Sequence, residues 1–241
     1  MPQTSRDRTD VRHTNNLAML DSGVTRERNE TRPNTTATRR ALIALSSAPL
    51  LAASQSPWSW APLALVALAP WMWATRRCSY CEAVLLSTLV GTAYGCLVAP
   101  WIPEALRALG SSGLTPWLGL IGTAAWAKLP MFAVGGFSVW LLRNQPSGIQ
   151  ILGTGATFFA AEWAIGAWSL GVPWALVGHS QLPVTGVSQL AAVGGVPLIS
   201  ACLVATSAAV NLAIERRRGS IRIAIALVAG WCVMGLAARR D

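Results

Sequence analysis

Apolar residues arrive in long runs along this chain, and polar residues interrupt them only briefly. From Ala41 to Ile214 the charges are confined to Arg76, Arg77, Glu82, Glu104, Arg107, Lys128, Arg143 and Glu162. A helix needs about 20 apolar residues to cross the hydrocarbon core, with a working range near 17–25. On that scale the pattern predicts spans at about 41–56, 60–75, 82–100, 116–141, 151–169, 189–214 and 221–237. The predicted class is therefore an all-α membrane protein, a bundle of about seven transmembrane helices. The first run is short and contains Pro49, so its length alone also fits a re-entrant segment.

Arginine placement favours a full crossing, because cytoplasmic loops carry the excess of Lys and Arg. Seven crossings with the N-terminus inside put the tail arginines, Arg76, Arg77, Arg143, Arg216, Arg217, Arg218 and Arg222 on one side. The opposite side then holds only Arg107 before the C-terminal Arg239 and Arg240. The expected location is the bacterial cytoplasmic (inner) membrane, with the N-terminus cytoplasmic and the C-terminus periplasmic or extracellular. Tryptophan supports this reading, since its ring prefers the headgroup level. Trp58, Trp60, Trp71, Trp73, Trp101, Trp117, Trp140, Trp168 and Trp174 lie near proposed span ends, whereas Trp126 and Trp163 fall inside spans.

Composition sharpens the division into parts. Of the 241 residues 53% are apolar and 12% charged, well under the roughly 25% charged residues of a soluble domain. Residues 1–40 hold eight of the eighteen Arg and five of the ten acidic residues, without a long apolar run. Such a segment buries too little to offset its ordering entropy, so residues 1–40 are expected to form a disordered cytoplasmic tail and residues 41–241 the membrane domain. The basic stretch before the first apolar run is too long for the n-region of a removable signal peptide. The net charge of +9 does not imply nucleic acid, because the arginines mark loops rather than one folded face.

Candidate chemistry is sparse. Cys78 and Cys81 form a CxxC pair, but His13 and His179 stand too far off to complete a zinc site, so neither a metal nor another cofactor is expected. Cys96, Cys202 and Cys232 lie in apolar runs, where a thiol behaves as a small hydrophobe. Lys128 and Glu162 are ionisable groups at membrane depth, and such groups face the bundle interior and pair. They read either as part of a substrate path or as a structural pair. The stretch from Ala161 to Gln181, AEWAIGAWSLGVPWALVGHSQ, mixes turn formers (Gly171, Pro173, Gly178) with aromatic and polar residues. A loop of that composition belongs at the interface or along a cleft. His179 beside Ser180 has no acid to complete a triad.

These residues also carry a family resemblance. Glu162-Trp163, then Gly171-Val172-Pro173-Trp174, then Gly178-His179-Ser180-Gln181 resemble the signature of apolipoprotein N-acyltransferases. Gly195-Val196 with Ser200 resembles that family's following helix, and Ser56-Pro57-Trp58, Gly91, Tyr94-Gly95 and Trp101 fit its first spans more loosely. Two positions depart: Ile165 stands where the family has Arg, and Ala201 where it has Phe. The resemblance implies acyl transfer from a phospholipid to the N-terminal cysteine of a lipoprotein, with phospholipid and lipoprotein as substrates. It also implies that Trp163, Pro173, Trp174, Gly178, His179, Ser180 and Gln181 shape the substrate entrance, with Glu162 supporting the loop from beneath.

In that family a nitrilase-like domain with a Glu-Lys-Cys triad follows the helices, whereas this chain stops at Asp241. The expectation is thus a membrane domain that is not catalytic alone, with no catalytic residue of its own and a possible separate nitrilase-like partner. A different class of function, a membrane anchor or assembly factor for a polyprenol-dependent glycosyltransferase, fits the same helices. A small transporter fits less well, because no internal repeat is visible and only Lys128 and Glu162 supply midplane polarity.

Overall fold

The structure is a computed structural model of the chain, and it describes residues 35–167 and 173–237. The expected disordered tail lies, up to residue 34, outside the described residues. Ten α-helices are described: α1 (Thr35–Leu45), α2 (Ser47–Ser54), α3 (Ala69–Thr75), α4 (Tyr80–Val98), α5 (Ile102–Ala108), α6 (Thr115–Leu142), α7 (Ser147–Ala167), α8 (Thr185–Ser188), α9 (Ala191–Ile214) and α10 (Ser220–Ala237). Short 3₁₀ turns occupy Ala61–Leu65 and Val177–Gln181, and no strand occurs among the described residues. Three helices, α4, α6 and α9, are each long and apolar enough to cross a membrane. Shorter apolar helical stretches cover Ala61–Thr75 and Ser220–Val233. Large apolar side chains such as Leu85, Trp126, Leu152 and Val193 are exposed on the outer surface. An all-helical, multi-pass membrane protein is the class these features define.

Helical structure occupies each of the seven apolar runs, but the first two are broken, and proline explains both breaks. A helical proline removes one backbone hydrogen bond and crowds the carbonyl four residues earlier. For Pro49 that carbonyl belongs to Leu45, and the chain turns at Ser46, whose hydroxyl donates to the Ile43 carbonyl (2.7 Å). Pro49 therefore sits in the first turn of α2, where its missing N–H leaves no gap. In the second run Pro62 and Pro70 start separate helical pieces. The carbonyls freed between them accept from one side chain: the Ser207 hydroxyl reaches Leu65 O at 2.9 Å and Ala64 O at 3.3 Å. The helix α5 carries Glu104 and Arg107, a polar pattern that the apolar-run reading passes over.

Helices α4 and α6 pack closely because glycine removes side chains from their crossing. A Cβ on Gly91 would stand 2.8 Å from the Phe132 ring, and one on Gly95 would stand 2.8 Å from Ala124 Cβ. Lipid is as apolar as leucine, so such close backbone contact replaces water exclusion as the force that joins helices. Inside the bundle Trp71 packs edge-on against Phe132 (5.6 Å) and Phe158 (5.9 Å). The sequence reading placed Trp71 near a span end, yet it is fully buried. Its indole N–H donates to Ser87 Oγ (2.9 Å), so the polar edge that draws tryptophan to the interface is satisfied internally. The last two helices are tied by a similar bond from Trp231 Nε1 to Thr206 Oγ1 (3.0 Å).

The connections after α3, α6 and α9 share a basic chemistry. Arg76 and Arg77 both reach Glu215, at 3.5 and 2.7 Å, and Arg76 also donates to the Arg143 carbonyl. Arg77 and Arg143 lie over the rings of Trp73 and Trp140 at 4.3 Å each. This basic end gathers loops that the arginine pattern assigns to one side. The loops after α2 and α4, together with the segment after α7, gather at the other end.

Candidate functional site

Pro173 to Gln181 forms the floor of that second end, and its backbone is held by buried side chains from four helical segments. Three successive carbonyls accept hydrogen bonds. Lys128 Nζ of α6 donates to Trp174 O and to Ala175 O, Tyr94 Oη of α4 donates to Ala175 O (2.9 Å), and Gln55 Nε2 donates to Leu176 O (3.2 Å) and Tyr94 Oη (3.0 Å). Three successive amides donate. Leu176 N reaches His179 Nδ1 (3.1 Å), Val177 N reaches Glu162 Oε1 (3.3 Å), and Gly178 N reaches Ser200 Oγ (2.7 Å). Lys128 is 2% and Glu162 1% exposed, so both charges are spent on this loop. A buried polar group left unpaired costs about 1–3 kcal/mol, which makes a network of this size a strong constraint on the loop.

Local sequence explains the shape. Ala175 adopts φ +48, a region that costs a non-glycine residue roughly 1–2 kcal/mol, and the hydrogen bonds on either side hold it there. Gly178 is required by proximity: a Cβ there would stand 2.7 Å from Val196 O and 3.0 Å from Ser200 N on α9. The remaining polar residues also anchor the turn. Ser180 Oγ donates to Val177 O (2.7 Å), and Gln181 Nε2 donates to Ala61 O (2.9 Å) and Ser180 Oγ (3.0 Å).

The site residues expected from sequence thus fall into two groups. Lys128, Glu162, Gly178, Ser180 and Gln181 converge beneath or within the loop. Pro173 and Trp174 are exposed on it, and Trp174 packs on Trp101 with ring centroids 4.7 Å apart. Trp163 is 62% exposed on α7 and stands apart from the cleft lining. Gly171 and Val172 lie outside the described residues. Lys128 and Glu162 interact electrostatically, yet no direct ion pair joins them; the loop backbone lies between their roles. Lys128 supplies the positive charge near Glu162, and Ile165, where the resemblance expects Arg, is buried apolar surface. Glu162 Oε2 has no hydrogen-bond partner. Sequence reasoning missed Gln55, which ends an apolar run and reads as a loop amide although it is 6% exposed.

A cleft of about 660 Å³ opens beside the loop, lined among others by Gln55, Ser56, Ser59, Trp101, Trp174 and His179. None of the five cysteines lines it. Because His179 Nδ1 accepts the Leu176 N–H, the neutral ring carries its proton on Nε2. Burial, assisted by the nearby Lys128 charge, holds the His179 pKa below its ordinary value. The folded state thus binds a proton less readily than the unfolded chain, so stability falls as pH drops below about 6.5. A thermal-denaturation series from pH 7.5 to 5 is expected to show this loss. The His179→Gln variant should flatten that segment of the curve, and an unchanged slope would remove His179 as its cause.

The class defined by the helices narrows on comparison with known families. The apolipoprotein N-acyltransferase N-terminal domain matches residues 47–209, two thirds of the chain and all of the clamp and cleft. The chain belongs to that family. No curated protein sequence matches it.

Proposed function

We propose that this chain is the membrane domain of an apolipoprotein N-acyltransferase-like protein and that its outer cleft presents lipid substrates to chemistry performed elsewhere. The supporting observation is the clamp: charged and polar side chains from α4, α6, α7 and α9 are committed to fixing one loop beside a cleft with aromatic and hydroxyl walls. Fixing a surface in this way is the task of a positioning element, since geometry within an ångström governs transfer rates. Acyl transfer itself needs an activated nucleophile with a base and oxyanion donors, and the cleft lining contains no cysteine. The reaction implied by the family moves an acyl chain from phospholipid to the N-terminal cysteine of a lipoprotein. On this reading a nitrilase-like domain supplies the nucleophile, and residues 41–241 form the membrane part. The membrane is the bacterial inner one, with the cleft and Asp241 on its outer side.

Two measurements test the reading. Reporter fusions at Asp241 are expected to be active outside and silent in the cytosol; the reverse result would dismantle the assignment of the cleft to the outer face. The purified chain alone is expected to leave a diacylglyceryl lipopeptide unmodified, and to support acylation when a nitrilase-like domain is supplied with it. Acylation by the chain alone would contradict a presenting role.

A further inference from the structure

The connection between α9 and α10 carries three consecutive arginines, and the acids at the basic end of the bundle are committed elsewhere. Among the described residues these acids are Glu215 and Glu82. Glu215 is held by Arg76 and Arg77, and Glu82 closes the capping box of α4 with Ser79. Arg216, Arg217, Arg218 and Arg222 are exposed, and no ion pair among the described residues holds any of them. Arg76 interacts electrostatically with Arg217 as well as with Glu215, so the run adds like charge to a cluster that is already basic.

The turn that presents these arginines is fixed. Arg216 adopts φ +56 and Gly219 φ +77, a left-handed region that glycine or asparagine usually fills where a helix ends. Arg216 N donates to Ala213 O (2.9 Å) and Arg217 N to Leu212 O (3.0 Å), which closes α9. Ser220, fully buried, donates to Arg217 O from both N (3.2 Å) and Oγ (2.6 Å). Exposed Ile214 and Ile221 flank the run, and Trp73 and Trp140, under Arg77 and Arg143, mark headgroup level at this end. The helix dipole opposes such a placement, because a helix N-terminus is positive and favours acidic residues. Helix α10 has no acid in its first turn and carries Arg222 there. Sidedness alone asks only for arginines in a loop of any shape. Like charge fixed in a turn against a positive helix end is relieved by an anion, and guanidinium forks beside a helix N-terminus suit phosphate oxygens.

We infer that the turn at residues 216–219, with Arg222 on the first turn of α10, binds the phosphate of an anionic phospholipid headgroup at the basic end of the bundle. A lipid rather than a soluble phosphate follows from the apolar neighbours Ile214 and Ile221, which place the guanidiniums at the edge of the hydrocarbon. The site shares no residue with the cleft beside residues 173–181, so it does not rest on the proposed function.

The full chain in nanodiscs of phosphatidylcholine and phosphatidylglycerol at equal mole fraction provides the test. Lipid retained after mild delipidation is counted by mass spectrometry, at salt high enough to screen the diffuse attraction of a basic surface. Phosphatidylglycerol is expected to be favoured about fivefold. The double variant Arg217→Gln, Arg218→Gln should lower that preference to about twofold or less, while Arg107→Gln, an exposed arginine beside Trp117 at the other end, should keep it. The lysine pair Arg217→Lys, Arg218→Lys keeps the charge but loses the planar fork, and should lose at least half of the preference. A full preference in the lysine pair would reveal a diffuse basic surface and overturn the site. Equal retention of the two lipids, or a preference unchanged in the glutamine pair, overturns it as well. Inorganic phosphate added in large excess is expected to leave the bound phosphatidylglycerol in place; its release would give the site to soluble phosphate and sink the lipid assignment. Because these arginines lie outside the cleft, a failure of the acylation experiment would leave this result standing.

Discussion

Replacing Lys128 with Met is expected to cost the isolated chain about 3–5 kcal/mol of stability, the usual effect of removing one member of a buried charged set. Two consequences add. The carbonyls of Trp174 and Ala175 lose their donor, leaving Ala175 O with Tyr94 Oη alone. The Glu162 carboxylate, already short of a partner at Oε2, then faces the interior without the nearby positive charge. The measurement is a thermal or denaturant midpoint in detergent, read beside proteolysis within residues 173–181. Lys128→Met should unlock the loop before it unfolds the bundle, since the close crossing of α4 on α6 at Gly91 and Gly95 is made with Phe132 and Ala124 rather than with Lys128.

A double-mutant cycle separates the electrostatic part from the hydrogen bonds. Glu162→Gln alone removes a charge but keeps an acceptor for the Val177 N–H, so its cost should be smaller than that of Lys128→Met. Combined with Lys128→Met it should recover about 1–3 kcal/mol, because neither charge is then left alone. If Lys128→Met costs under about 1 kcal/mol, the ammonium reaches the membrane surface instead and the clamp as described fails.

How much of this was readable in the sequence depends on the physics each feature obeys. The helices followed from run length, because hydrocarbon forces every backbone group into internal hydrogen bonds and leaves few choices. Lys128 and Glu162 stood out for the same reason: charge at that depth demands a partner. Their shared partner was hidden, since it is backbone and backbone carries no sequence signal. The breaks at Ser46 and between Leu65 and Ala69 needed tertiary information, although Pro49, Pro62 and Pro70 mark them afterwards. Trp71 misled because a tryptophan near the end of an apolar run is ordinarily interfacial, and only the buried Ser87 hydroxyl makes the interior acceptable. His179, Ser180 and Gln181 read as chemistry by residue type. In the structure Ser180 and Gln181 tie the turn down, and His179 spends one nitrogen on the turn and offers the other to the cleft.

Gly178→Ala is expected to cost roughly 2–3 kcal/mol, and its cause is contact rather than backbone preference. Overpacking of a fixed interior generally costs about 1–3 kcal/mol. Here the added carbon would meet Val196 O at 2.7 Å, Val196 Cγ1 at 2.9 Å and Ser200 N at 3.0 Å. Two of those atoms belong to the backbone of α9 and cannot rotate aside, so the turn must lift. Lifting it stretches the Gly178 N–H bond to Ser200 Oγ first, then the adjoining Val177 contact with Glu162. The fair comparison is Gly230→Ala on α10, where an added Cβ meets nothing within 4 Å. Helix propensity predicts that this second change is neutral or stabilises by up to about 1 kcal/mol. The two variants add the same atom to the same kind of chain, so opposite signs in their midpoints would isolate the packing of the turn on α9. Equal midpoints would mean that the loop rests on α9 with slack, and that the glycine in the Gly178-His179-Ser180-Gln181 element is kept for some reason other than close approach.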